Sequence, residues 1–350
     1  MRGSVRVSVV VPTRNCEGEI ADLMESLRDL GDVEVIVVDY SDDQTPEVAG
    51  RYGFVRVIRA PRPGLNLARN LGLREARGEV VAFTDCDCVV PRDWIANILR
   101  VMRETGAACV GGSALNYRPG RLLTDYANEA VLPLMPVYRS RTVVTAANFF
   151  VKRPPPGNNM AFLKRVAERY LFDEEYRYGW DEVDLMWRLC RDGHAVVADP
   201  SIVVYHKHRE RLGDLLRQEF RYGRGHVYFT LKNPDAPVSW VPPAALLALT
   251  AYLLIVLSAP RALLMVPLLY LALFAEYRFR RGLPLLKSLA YPLLDYACHL
   301  SYLAGYLVGL LTVAPGRLFR RRRARSRPGC SRCSPGTPGT PRPCTSPSPR

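Results

Sequence analysis

The stretch Val80-Val81-Ala82-Phe83-Thr84-Asp85-Cys86-Asp87 constrains this chain more than any other. Its first half is apolar and β-branched, the composition of a buried strand, and it stops at two aspartates spaced i, i+2. On an extended backbone that spacing points both carboxylates to one side. At the carboxyl end of a parallel strand, where open α/β sheets bind ligands, such a pair holds a hard divalent cation and what the cation carries. An isolated Asp-x-Asp is more often a plain polar strand end, so the weight rests on what surrounds it.

Three earlier runs have the same form. Residues 5–11 read as a strand closed by Pro12, residues 33–39 as a second, 55–58 as a third and 79–84 as the fourth. Helical spacing over 20–30, 65–76 and 94–102 fills the intervals. Apolar strands alternating with helices predict an α/β fold whose largely parallel sheet is covered on both faces. From 106 to 156 the pattern weakens, with Gly111-Gly112 and Pro154-Pro155-Pro156 as breakers. Helices are then expected over 182–191 and 212–221, with an apolar strand at 202–205 running into His206 and His208.

Beyond Trp240 the chain turns apolar. Residues 242–258 and 262–275 are almost uncharged and are separated by Pro260-Arg261; a longer run at 288–313 is interrupted by Pro292, Asp295 and His299. A hydrocarbon core about 30 Å thick needs roughly 20 helical residues. The first run meets this once Val241 and Ala259 are included, the second is marginal, and the third is long enough but polar in places. Arg278, Arg280, Arg281 and Lys287 follow the second run. Basic residues favour the cytoplasmic side. The expectation is therefore two spans plus a third segment lying on, or partly in, a cell membrane, with the amino-terminal unit cytoplasmic.

The net charge of +14 calls for an anionic partner, but half of it comes from Arg317, Arg320, Arg321, Arg322, Arg323, Arg325 and Arg327. That cluster abuts an apolar segment, where anionic lipid is nearer than nucleic acid, and no nucleic-acid partner is expected. Nine scattered cysteines form no compact framework and point to reduced thiols. Cys330-Ser-Arg-Cys333 lacks a second ligand pair, so zinc is not expected there. The first apolar run is short, β-branched and continuous with patterned sequence, so no signal peptide is expected. Residues 326–350, rich in Ser, Pro, Gly and Arg, are expected to be disordered.

In a parallel sheet the strand ends converge on one crevice at the topological switch point. Here they carry Pro12-Thr13-Arg14-Asn15, Asp39-Tyr40-Ser41-Asp42-Asp43 and Asp85-Cys86-Asp87, with the helix entry Asn66-Leu67-Ala68-Arg69 beside them. A nucleotide suits that set. Asp39 is the candidate acceptor from a base N–H, Asp85 from a ribose hydroxyl, and Asp87 the ligand of a metal bridging a diphosphate. Arg69 would add charge-assisted contacts to the base or phosphates.

These residues in this order resemble the nucleotide-binding half of family-2 glycosyltransferases: the run at 7–15, Val-Ile-Val-Val-Asp at 35–39 with Ser-Asp-Asp-Gln-Thr at 41–45, and Asn66 through Asp87. The resemblance covers roughly 7–225 and implies the GT-A fold, followed here by C-terminal hydrophobic helices. It implies inverting transfer of sugar from a nucleotide diphosphate, uridine type favoured, with Mg²⁺ or Mn²⁺ as cofactor. It resumes at Tyr178-Gly179-Trp180-Asp181-Glu182-Val183-Asp184-Leu185-Met186-Trp187-Arg188, similar to the family segment whose Glu-Asp pair includes the catalytic base. Asn158-Asn159-Met160-Ala161-Phe162 and Phe172-Asp173-Glu174 match its usual lead-in.

The pair is reversed here, so the base falls on Glu182 by register and on Asp181 by residue type; either carboxylate can take a hydroxyl proton. Asp184 and Arg188 are expected on the acceptor side. Gln218-Glu219-Phe220-Arg221-Tyr222 is similar to the Gln-x-x-Arg-Trp segment of processive members, with Gln218, Arg221 and Tyr222 as acceptor contacts. His206 is expected to complete the metal shell beside Asp87. Pro12, Thr13 and Asn15 join the donor site.

The domain plan that follows is a catalytic unit at 1–235, split into a nucleotide-sugar half (1–105) and an acceptor half (106–235). Residues 241–313 supply two to three membrane-associated helices, and 314–350 a basic and then disordered tail. The activity expected is transfer to a hydroxyl of a lipid-linked or surface glycan. The alternatives are a polyprenyl-phosphate sugar synthase, whose acceptor is a phosphate, and a non-catalytic nucleotide-binding membrane adaptor.

Overall fold

The computed structural model describes residues 7–132 and 134–313. Nine strands among them form one sheet: β1 (Val7–Thr13), β2 (Val33–Asp39), β3 (Val55–Arg59), β4 (Val80–Phe83), β5 (Cys88–Val89), β6 (Cys109–Asn116), β7 (Thr142–Val144), β8 (Met160–Leu163) and β9 (Val196–His206). Their order is β3-β2-β1-β4-β8-β6-β9-β5, with β7 also on β9. The first four strands pair in parallel, as their apolar runs predict. The second half is mixed. Strand β8 lies antiparallel between β4 and β6, while β6 and β9 run parallel.

The helices are α1 (Ile20–Leu27), α2 (Thr45–Gly50), α3 (Leu65–Glu75), α4 (Trp94–Thr105), α5 (Leu122–Glu129), α6 (Lys164–Tyr170), α7 (Asp181–Arg191), α8 (Leu212–Lys232), α9 (Val241–Ser258), α10 (Met265–Ala275) and α11 (Leu285–Thr312). The sheet is covered on both faces. Val9, Val11, Val35 and Val37 pack with Leu23 of α1 and Trp94 and Ile98 of α4. Val10, Ile36, Val38 and Phe83 face the other way, onto Leu73 of α3 and Leu185 and Leu189 of α7. Every residue of β1 is therefore buried, which is why its sequence is continuously apolar instead of alternating.

The apolar C-terminal part divides in two. Pro237–Ser258 and Pro260–Arg280 have mean hydropathies of 2.0 and 1.5 and are 6% buried, so both expose apolar surface all round. They are long and apolar enough to cross a membrane. Helix α11 instead docks on α8 and on α5, and the polar residues that interrupt its sequence explain how. The Asp295 carboxylate accepts from Tyr126 (2.8 Å) and Tyr277 (2.7 Å). Lys287 pairs with Asp125 and Glu129, each at 2.8 Å, and Tyr291 donates to Glu129 at 2.7 Å. Its other side carries Leu286, Leu293, Leu300, Leu307 and Leu311, all exposed. Spaced mostly by sevens, these leucines form a single stripe.

One sequence expectation fails here. Cys16 and Cys86 are joined through their sulfurs, tying the loop after β1 to the loop after β4. Cys88, Cys109, Cys190 and Cys298 are free and buried. The arginine cluster, the Cys330–Cys333 pair and the tail expected to be disordered lie outside the described residues.

Candidate active site

The loops after β1 and β2 are built around Asp39, which is fully buried. Its Oδ1 accepts from the hydroxyls of Thr13 (2.8 Å) and Ser41 (2.6 Å). Its Oδ2 accepts from the Ser41 amide (3.0 Å) and from the Arg59 guanidinium. Two carboxylate oxygens offer about four acceptor sites, so the group is saturated by protein. A donor base reaching Asp39 would have to displace one of these partners, and the residue organises the loop instead. Asn15 joins the same framework: its amide donates to Ser41 Oγ at 2.8 Å and its Oδ1 accepts from the Asp42 amide at 2.9 Å. Its φ of 53° lies in the left-handed region that asparagine tolerates. Pro12 remains inside β1, opposite Val38.

Beyond the end of β4, Asp87 and His206 face each other, Oδ1 to Nε2, at 3.3 Å. His206 is the last residue of β9, which β5 brings into register at Cys88. A histidine relay lies behind it. His208 Nε2 is 3.2 Å from Asn128 Oδ1, and the two Nδ1 atoms of His206 and His208 are 2.8 Å apart. An amide oxygen needs a donor, so His208 carries its proton on Nε2 and accepts at Nδ1 from His206. His206 Nε2 then faces the Asp87 carboxylate at 3.3 Å, where a protonated imidazole donates to it or a cation sits between the two. Burial pulls His206 towards neutrality, but the Asp87 carboxylate outweighs it and the net shift is upward. Asp87, Cys88 and His206 place ligand atoms within 4.8 Å of one another. Burial pushes the Cys88 thiol far up, so it stays a neutral neighbour and the hard donors are the carboxylate and the imidazole.

Arg69 joins this side to the acidic segment. Fixed in α3 and 3% exposed, it reaches Asp181 at 2.5 Å, the Gly157 carbonyl at 3.3 Å and Asp85 at 3.8 Å. Burial raises Asp85 and Asp181, with Arg69 pulling each back. Glu182 differs. It makes no side-chain hydrogen bond or ion pair to another described residue, and burial plus the charge of Asp181 push it up to about 7. Tyr222 of α8 lies in the same electrostatic neighbourhood and receives Gln218 Nε2 on its hydroxyl at 3.2 Å.

Residues 8–170 match glycosyl transferase family 2. This part of the chain is a family 2 glycosyl transferase domain. The pre-mycofactocin glycosyltransferase of Mycobacterium tuberculosis is 27% identical over 233 residues, 65% of this chain and 48% of that protein. Glycosyltransferase AglE of Haloferax volcanii is 25% identical over 233 residues, 63% of this chain and 73% of that protein. The chain thus spans about half the length of the mycobacterial relative. The crystal structure of S. aureus TarS aligns with 86% of this chain and 54% of its own at 19% identity, TM-score 0.48.

Within the glycosyl transferase domain and the segments that follow it, the expected residues sort into two groups. Asp85, Asp87, His206, Arg69, Asp181, Glu182 and Tyr222 come together. Asp184 and Arg188 do not open onto them. Asp184 is fully buried and accepts from Tyr176 (3.2 Å), Asn233 (2.8 Å), Arg188 (2.9 Å) and Lys232 (2.8 Å). Arg188 also donates to the Tyr170 and Leu171 carbonyls at 2.6 and 2.7 Å. Both tie α7 to α8 and to the segment after α6, so the acceptor contacts expected of them are withdrawn. Arg221 is exposed on α8, with no side-chain hydrogen bond or ion pair among the described residues. Arg69 meets carboxylates where base or phosphate was expected. Two participants escaped the sequence reading. Arg59 was legible in principle, because the register of β2 and β3 puts it opposite Asp39; Cys88 carried no signal beyond adjacency to Asp87.

Proposed function

We propose that the chain is a membrane-bound inverting glycosyltransferase that moves a sugar from a nucleotide-diphosphate sugar, uridine type favoured, to a hydroxyl of a lipid-linked or surface glycan. The observation that carries this reading is the contrast between two adjacent carboxylates. Asp181 is held by Arg69, whereas Glu182 stands free with a proton affinity near neutrality. A general base works best when its pKa lies near the operating pH. In this reading Glu182 is therefore the base and Asp181 its anchor.

In this reading the donor lies across the ends of β1, β2 and β4. Thr13 and Asn15 shape the loop around its base, and Asp85 receives a ribose hydroxyl. Asp87 and His206 would hold Mg²⁺ or Mn²⁺, which supplies charge neutralisation for the leaving diphosphate. Glu182 takes the proton of the acceptor hydroxyl as that oxygen forms its bond to the anomeric carbon from the face opposite the leaving group, inverting the centre. Arg69 keeps Asp85 and Asp181 compensated so that their charge does not raise Glu182 further. Tyr222 and Gln218 flank the acceptor.

The domain plan fits this function. A catalytic unit ends near residue 235, the α9–α10 hairpin spans a membrane, and α11 lies along its surface with the leucine stripe towards lipid. Both ends of the hairpin return to the catalytic unit. At entry, His226 Nε2 meets the Val238 carbonyl at 3.0 Å. At exit, Arg281 donates to the carbonyls of Glu129 and Ala130, each at 3.0 Å. Two spans with both ends on one side keep Arg278, Arg280 and Arg281 with the catalytic unit, on the cytoplasmic face by charge.

The test is transfer by the detergent-solubilised chain from a panel of nucleotide sugars to alkyl glycosides and to a polyprenyl phosphate, with and without Mn²⁺. Metal-dependent transfer to a glycoside that Glu182→Gln lowers by about 10²–10⁴ is the expected result. Transfer to the phosphate that survives Glu182→Gln would establish the phosphate-acceptor alternative, since a phosphate needs no base.

A further inference from the structure

We propose that Tyr302, on the C-terminal helix α11, is a positioning residue for Glu182, acting through His226 of α8 and Trp180. The proposal rests on the transferase reading for what Glu182 does, and on geometry alone for how it is held.

Asn15, Leu171 and Trp180 are the non-glycine residues with positive φ among the described part of the chain. A bulky aromatic at φ 71° is an outlier that persists only where its surroundings impose it. Trp180 is also the residue from which α7 starts: its carbonyl accepts the first helical hydrogen bond, from the Asp184 amide at 2.9 Å. Its backbone angles therefore set the direction in which Asp181 and Glu182 leave the turn.

Gly225 of α8 seats the Tyr178-Gly179 backbone just before this turn, and the imidazole of His226 holds the Trp180 ring. The two rings stack with centroids 3.6 Å apart and planes 21° from parallel. The imidazole is in turn pinned at both nitrogens. Nε2 lies 3.0 Å from the Val238 carbonyl, which only accepts, so Nε2 carries the proton. Nδ1 is then a lone pair, and the Tyr302 hydroxyl donates to it at 2.6 Å. Burial pushes His226 down to about 3, so the neutral tautomer this requires is the one present at any working pH.

Tyr302 itself has no freedom to drift. A Cβ on Gly223 of α8 would come within 2.0 Å of the Tyr302 carbonyl, and one on Gly305 of α11 within 2.0 Å of the Phe220 carbonyl. The two helices meet backbone to backbone, a contact that only glycine permits. The catalytic turn is thus clamped from two places outside the sheet: the entry to the first candidate span, through Val238, and the surface helix α11, through Tyr302. Glu182 is in place when the membrane-facing part is docked.

Tyr302→Phe removes one hydroxyl and keeps the ring and the glycine seat; His226→Gln removes the stacking face while keeping a donor and an acceptor. The full chain in detergent is measured by hydrogen–deuterium exchange and by UDP binding, and then for transfer to an alkyl glycoside. Each variant is expected to speed amide exchange about 10-fold at residues 178–188 and to lower kcat by a similar factor. Exchange across β1, β2 and β4, UDP affinity and donor KM should stay within about 2-fold. Adding either variant to Glu182→Gln should lower the residual rate no further. Unchanged exchange at 178–188, exchange raised evenly over the whole chain, or effects fully additive with Glu182→Gln would each overturn the proposal. A wild-type chain that bound no UDP would sink the transferase reading, and the catalytic half of this proposal with it, whatever the exchange shows.

Discussion

Arg69 and Asp181 form an ion pair at 2.5 Å with each side chain 3% exposed, and residues from opposite ends of the catalytic unit meet in it. Such a pair adds little over a well-packed apolar substitute, but removing one partner leaves a buried charge uncompensated, at about 3–5 kcal/mol. Arg69→Met is therefore expected to lower unfolding stability by about that amount at neutral pH, measured by denaturant titration. Arg69→Met combined with Asp181→Leu should recover most of the loss. A single variant as stable as wild type would mean that the pair is open to water.

The acidic limb of the rate profile follows from Glu182, whose proton affinity is raised to about 7. In the role proposed for Glu182 the unprotonated form is the active one, so the rate is expected to fall about tenfold per pH unit below that value and to level off above it. Arg69 holds Glu182 down, so Arg69→Met moves the limb to higher pH in whatever activity it retains. Glu182→Gln removes the limb and about 10²–10⁴ of the rate. A limb at an unperturbed carboxylate value, near 4, would take the base away from Glu182.

His208 never reaches the expected metal position, yet by accepting from His206 Nδ1 it sets which nitrogen of His206 faces Asp87. Outer partners of ligating histidines are commonly worth 10–100-fold in metal affinity. His208→Ala is expected to weaken Mn²⁺-dependent UDP binding by about that factor, read by calorimetry at several Mn²⁺ concentrations. Asp87→Ala should remove the metal dependence altogether. If His208→Ala binds Mn²⁺ as wild type does, the relay from Asn128 does not orient His206.

The nucleotide half of the fold was legible because its strands are buried on both faces and so announce themselves as unbroken β-branched runs. The acceptor half was not. Strand β6 contains Gly111-Gly112, where it bulges against β9, and a pattern reading takes that pair for a turn. Helix α8 continues to Lys232 although the sequence expectation stopped at residue 221; Gly223 and Gly225 look like helix ends until α11 is seen packed against the first and the Tyr178-Gly179 backbone against the second. The site shows the same division. Strand-end aspartates were recognisable from spacing, whereas the roles of Asp39, Arg69, Asp184 and Arg188 depend on which partners arrive from distant segments, and nothing local distinguishes a saturated carboxylate from a free one. Only the contrast in burial and pairing separates Asp181 from Glu182.

Asp295 tests how the C-terminal helix is attached. Within an otherwise apolar run it reads as a defect, but its two oxygens receive one hydroxyl from Tyr126 of α5 and one from Tyr277 at the end of the α10 segment. Asp295→Leu leaves both buried hydroxyls without an acceptor, at about 1–3 kcal/mol each. Because the three residues join α5, the end of the α10 segment and α11, the loss should appear as early release of α11, not as lower stability of the sheet. Limited proteolysis of the solubilised chain is expected to cut between residues 281 and 313 first in Asp295→Leu, while the fragment carrying β1 to β4 persists. Asp295→Asn keeps one acceptor oxygen and should fall between the two. If Asp295→Leu resists the protease as wild type does, the Asp295 carboxylate contributes nothing to docking, and α11 is held by its seat on α8 and by the Lys287 and Tyr291 contacts to α5.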